Sequence, residues 1–104
     1  MSIKKRPARR KRPLRWELRV YVADQAARSV MTIANLERLC QQYLPGRYRI
    51  DVVDLLLSPE RCREDEILAV PTVVRHLPLP ARRAIGTLAD AERAAKALEM
   101  SNVN

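Results

Sequence analysis

Residues 65–90, DEILAVPTVVRHLPLPARRAIGTLAD, decide how this 104-residue chain folds. Val70 to Arg75 reads as a strand opened by a proline, whose missing N–H costs little at a strand's first residue. Leu77-Pro78-Leu79-Pro80 cannot form a central strand, so it links this strand to a short one from Ala81 to Ile85. A hairpin-like pair is the economical arrangement. Thr87-Leu88-Ala89-Asp90 then resembles a capping box with Asp in place of the usual Glu. Ala91, Ala94, Ala95 and Leu98 fall at helical spacing within 91–100, a run with no glycine and no β-branched residue.

Upstream, Ser58-Pro59-Glu60 is a compact helix start, and the helix is expected to end near Leu68. Tyr48 to Leu57 (YRIDVVDLLL) turns fully apolar at its end, as a buried parallel strand would. Ile33, Leu36, Leu39, Cys40 and Tyr43 share one stripe of a helix that Asp24 or Ser29 could cap and Pro45-Gly46 ends. Trp16, Leu18, Val20 and Val22 alternate with Glu17, Arg19 and Tyr21, which makes a strand with its Trp16 face toward the core. Strand, helix and strand form a βαβ unit with a right-handed crossover. The whole order is βαβ, then α, ββ, α, in a single α/β domain over 14–104.

Residues 1–19 hold nine Lys/Arg against Glu17, and residues 20–104 hold eleven of each sign. The net charge of +8 therefore belongs to the leader, and the folded part is neutral. Residues 1–13 are proline-punctuated and self-repelling, with little apolar surface to offset ordering, and are expected to be a disordered basic tail. No apolar run approaches the ~20 residues of a membrane span. The leader also lacks the apolar stretch of a secretory signal, so the expected location is cytoplasmic. Cys40 and Cys62 fit neither a disulfide framework nor metal-ligand spacing, and are read as reduced, partly buried thiols.

The element order is that of the thioredoxin fold, with Val70-Pro71-Thr72 where that fold usually carries a proline, often after a cis bond. A redox member needs C-x-x-C after the first strand. Residues 23–28, ADQAAR, contain no cysteine. His76, before the proline-rich turn, has no partner at metal or dyad spacing and is read as a surface or turn histidine. Glu64-Asp65-Glu66 point in different directions and are read as a solvated face. The expectation is a binding module with no catalytic residue, cofactor or metal.

Val20-Tyr21-Val22-Ala23, Ile50–Leu55, the ILA-x-PT pattern ending at Thr72 and the LP-x-P-x-RR-x-IG-x-L-x-D pattern from Leu77 to Asp90 together resemble the KaiB family of bacterial clock proteins. The resemblance runs from about Leu18 to Leu98. It implies a protein that binds the ring of KaiC, a hexameric ATPase, and modulates its phosphorylation and ATPase cycle in a clock or in stress signalling. It implies a thioredoxin-like monomer that binds, alternating with another α/β fold assembled as dimers or tetramers. It makes Pro71, Thr72, Pro78, Pro80, Gly86 and Asp90 family-signature structural positions. The partner surface is expected near Arg75, Arg82 and Arg83 and the second helix, since arginine suits interface ion pairs. Asp24 in place of a glycine, Thr87 in place of an aspartate, a longer basic leader and an Ala-rich last helix mark a divergent member. The glycine-free last helix favours the thioredoxin-like form. A second reading makes the tail the working part: Lys4, Lys5, Arg6, Arg9, Arg10, Lys11 and Arg12 would bind nucleic acid or another anionic surface.

Overall fold

The computed structural model describes residues 15–23 and 27–101. Seven elements follow one another: β1 (Trp16–Val22), α1 (Ala27–Tyr43), β2 (Tyr48–Asp54), α2 (Glu60–Glu64), β3 (Thr72–Leu77), β4 (Arg82–Ile85) and α3 (Ala91–Ala97). Their order is the one read from the sequence. The sheet runs β2-β1-β3-β4, with β1 and β2 parallel and the other two pairings antiparallel. The basic tail and the expected cap Asp24 lie outside the described residues.

Alternation sorts the sheet into two faces. Leu18, Val20 and Val22 of β1 pack with Leu36, Leu39 and Cys40 of α1 and with Ala94, Ala95 and Leu98, and Trp16 rests against this cluster. This is the expected Trp16 face. On the opposite face Tyr21, Val53 and Val74 form a smaller cluster with Leu55 and Ile67, which flank α2. Cys40 is buried and Cys62 exposed, and both are free thiols. Burial pushes the Cys40 thiol up to about 12, with Glu37 adding to the rise.

Several local expectations give way. β2 ends at Asp54 rather than Leu57 and is an edge strand rather than a buried one. The Asp54 carboxylate accepts from the Leu56 amide at 2.9 Å, and the Asp54 carbonyl accepts from Leu57 and Ser58, so the chain turns away. Leu56 and Leu57 are left 67% and 82% exposed. α2 stops at Glu64, short of Leu68. Beyond it Glu66 takes φ 55°, Ile67 N–H donates to the Cys62 carbonyl at 2.8 Å and Glu66 N–H to the Arg63 carbonyl at 3.2 Å. That is a Schellman ending with a glutamate where glycine is usual. α3 ends the same way: Glu99 has φ 58°, and Met100 N–H donates to Ala95. Ser29 is a buried residue inside α1, not its cap. α3 is capped by Asp90, whose carboxylate accepts from the Arg93 amide at 3.1 Å, rather than by a box begun at Thr87. His76 lies within β3, not in a turn. Its Nε2 is buried without a partner among the described residues, and burial, with Arg19 nearby, lowers its pKa.

Candidate interaction surface

The signature residues shape both ends of the β3–β4 pair, with Pro71, Thr72 and Gly86 at one end and Pro78 and Pro80 in the turn at the other. The Val70-Pro71, Leu77-Pro78 and Leu79-Pro80 bonds are cis. Thr72 Oγ1 donates to the Ala69 carbonyl and closes the turn before β3. Gly86, at φ +103°, donates its N–H to the Pro71 carbonyl at 2.9 Å, continuing the β3–β4 ladder past Ile85. That positive φ is why a glycine stands there. Its carbonyl accepts from Thr32, while Asn35 donates to the Thr87 carbonyl at 2.8 Å, fastening this loop to α1.

α2 is held over the second face by a charged network. Tyr21 Oη donates to Asp65 Oδ2 at 2.6 Å, and Arg61 Nη2 meets the same oxygen at 2.9 Å. Arg19 lies 3.8 Å from it and donates to Tyr21 Oη at 3.3 Å. The Tyr21 hydrogen bond, with the Arg61 and Arg19 charges, holds the Asp65 carboxyl below the usual carboxylate range. Burial and the Asp65 carboxylate raise the Tyr21 phenol. The expected solvated face at 64–66 is therefore an anchor at Asp65. The sequence separation of 44 residues hid the Tyr21–Asp65 bond.

The three arginines expected at the partner surface lie on one strand pair but divide between its faces. Arg75 is buried. It donates to the Leu98 carbonyl at 2.9 Å and the Pro80 carbonyl at 2.5 Å, with its guanidinium 5.0 Å from the centre of the Trp16 ring. Burial lowers its pKa. Placed there, it fastens the end of α3 and the prolyl turn instead of meeting solvent. Arg82 lies beside it and binds the Glu99 carboxylate at 2.8 Å, which lowers the pKa of Glu99. Arg83 is exposed on the α2 side, where it donates to the Glu66 and Asp65 carbonyls at 2.6 and 2.7 Å. A cation there suits the negative end of a helix.

What the sequence missed is the apolar surface around α2. Leu57 precedes the helix and Leu68 follows it, the latter 95% exposed. With Leu56 they flank in sequence a short helix carrying Arg61 and Arg63, and Leu68 shares a groove with Arg63 and Arg83. The run LLL was the available signal, and it reads equally as a buried strand. Among the described residues, no group of three or more His, Cys, Asp or Glu could hold a metal ion. Nor is any helix there long and apolar enough to cross a membrane.

Comparison with known proteins follows the same outline. The N-terminal domain of Synechococcus elongatus SasA superposes with a TM-score of 0.69 at 14% identity, covering 100% of this chain and 98% of that one. Yeast mitochondrial thioredoxin 3 superposes at 0.64 with 22% identity, covering 83% of this chain and 78% of its own. These likenesses give the fold, which is thioredoxin-like. In sequence, the circadian clock oscillator protein KaiB of Nostoc punctiforme is 40% identical over 83 residues, 80% of each chain. The circadian clock protein KaiB3 of Synechocystis is 35% identical over 83 residues, 80% of this chain and 81% of its own. The KaiB domain model matches residues 19–100, from the second half of β1 through the end of α3, and on that span the chain belongs to the KaiB family.

Proposed function

We propose that this chain is a non-catalytic clock-type regulator that binds a hexameric KaiC-type ATPase and modulates its cycle. The observation that carries the reading is the KaiB domain match across the folded part. The docking surface is α2 with its flanking leucines, Leu56, Leu57 and Leu68, and the cation Arg83, while Arg82 faces the α3 side. Arg75 serves this surface from inside by holding the β3–β4 turn. Apolar groups ringed by arginine suit an interface core.

The binding form is the thioredoxin-like one. Residues 91–100 contain no glycine, which would cost a helix up to ~1 kcal/mol relative to alanine. That supports a larger population of this form than in relatives with a glycine there. The dimeric or tetrameric alternative fold remains the competing state, and binding draws on whichever fraction is competent.

The test mixes the purified protein with the KaiC-type ATPase of its own organism, with ATP, and follows complex mass by light scattering over hours. A slowly forming complex of defined stoichiometry is expected, and Leu68→Glu is expected to abolish it without changing the far-UV circular dichroism. Absence of any complex overturns the reading. A second reading keeps the basic tail as an anion-binding arm, supported by the +8 leader. Deleting residues 1–13 then removes salt-dependent nucleic-acid binding while ATPase binding persists.

A further inference from the structure

Among the described residues β4 forms an edge of the sheet, paired with β3 alone. Which of its backbone groups are free follows from the ladder. Opposed residues of an antiparallel pair exchange hydrogen bonds at every second position. Gly86 N–H donates to Pro71, and Thr72 pairs with Ile85, so Ala84 and Arg82 also face β3. The N–H and C=O of Arg83 and Ile85 point outward, away from the sheet.

The surface on either side of this edge is hollow. Toward α3 a groove of about 430 Å³ is lined by Ala84, Leu88, Ala94 and Ala97, with Arg93 on its wall. Toward α2 a wider groove of about 800 Å³ is lined by Cys62, Ile67 and Leu68, with Arg63 and Arg83 beside them and Glu66 opposing them, which leaves the lining net positive. Ile85 stands 67% exposed on the same side as Arg83. An edge strand with a groove on each face is what an added strand requires: the backbone supplies the hydrogen bonds and alternate side chains enter alternate grooves.

We propose that the β4 edge is a docking site for an extended, acidic peptide segment of another protein, which adds a fifth strand beside Arg83 and Ile85. Residues opposite Arg83 and Ile85 lie on the α2 side, where acidic side chains meet Arg63 and Arg83. The alternate residues lie over Ala94 and Ala97, where small apolar side chains fit. Charge also argues against a second copy as occupant, because two-fold pairing centred on Arg83 would set that residue beside its own copy. The groove toward α2 shares Leu68 and Arg83 with the surface proposed for the ATPase, so the two partners compete there, whereas the hydrogen bonds of the strand's edge belong to the peptide site alone.

The test uses the full chain, isotope-labelled, at physiological salt. The probe is a capped peptide of roughly seven residues, a typical strand length, alternating glutamate and valine. Its control alternates lysine and valine. The expected result is slowed hydrogen exchange at the Arg83 and Ile85 amides, with those of Arg82 and Ala84 unchanged, for the acidic peptide only. Arg63→Glu is expected to weaken binding roughly tenfold. Its circular dichroism verifies the fold. Shifts confined to the basic tail or to β2, or equal binding of the lysine peptide, overturn the proposal. So does protection at Arg83 and Ile85 that appears without peptide and grows with protein concentration, which marks self-association.

Discussion

At the scale of single residues, burial decides what each charged side chain does. Arg75 reads from the sequence as a partner-facing cation alongside Arg82 and Arg83, because arginine suits interface ion pairs. What places it inside is the meeting of the Leu98 carbonyl, the Pro80 carbonyl and the Trp16 ring, which come from distant segments. Lysine cannot reproduce that fork, so Arg75→Lys is expected to lower stability by about 2 kcal/mol, read from urea denaturation. Asp65 gives a pH prediction. Its carboxyl is lowered below its ordinary value, so its contribution is present above that value and lost as pH falls through the lowered one. Asp65→Asn is expected to flatten this part of the acid limb, seen as a smaller shift of the urea midpoint between neutral and acid pH. Tyr21→Phe removes the donor and is expected to cost about 1–2 kcal/mol at neutral pH.

Among the elements, helices and the first strand were more legible than the second strand. The stripe on α1 and the alternation in β1 are periodic signals, and both faces pack as their periods require. β2 misleads because three consecutive leucines look the same in a buried strand as in an exposed turn. The deciding interaction is the Asp54 side chain bonding its own turn. Helix ends were partly legible. The sequence puts Asp90 within the box before α3 but it is itself the cap, so Asp90→Ala is expected to cost about 1 kcal/mol. The left-handed Glu66 had no signal, since the Schellman ending usually declares itself by a glycine. Glu66→Gly is expected to raise stability by up to ~1 kcal/mol, measured as a higher urea midpoint at unchanged slope.

For the molecule as a whole, the βαβαββα order was readable because each element has its own punctuation. The unequal cover of the two sheet faces was not, since α2 and the last turn of β2 are shorter than their apolar runs suggest. The exposed leucines follow from that shortening. The two thiols divide along the same line. Cys40 lies in the larger core with its thiol pushed up to about 12, whereas Cys62 sits exposed on the short helix. A maleimide dye at neutral pH is therefore expected to attach once per native chain and twice after denaturation, counted by mass spectrometry. The natural sequence thus carries its own attachment point for a fluorophore on α2, placed where complex formation can be watched by fluorescence without engineering a single residue.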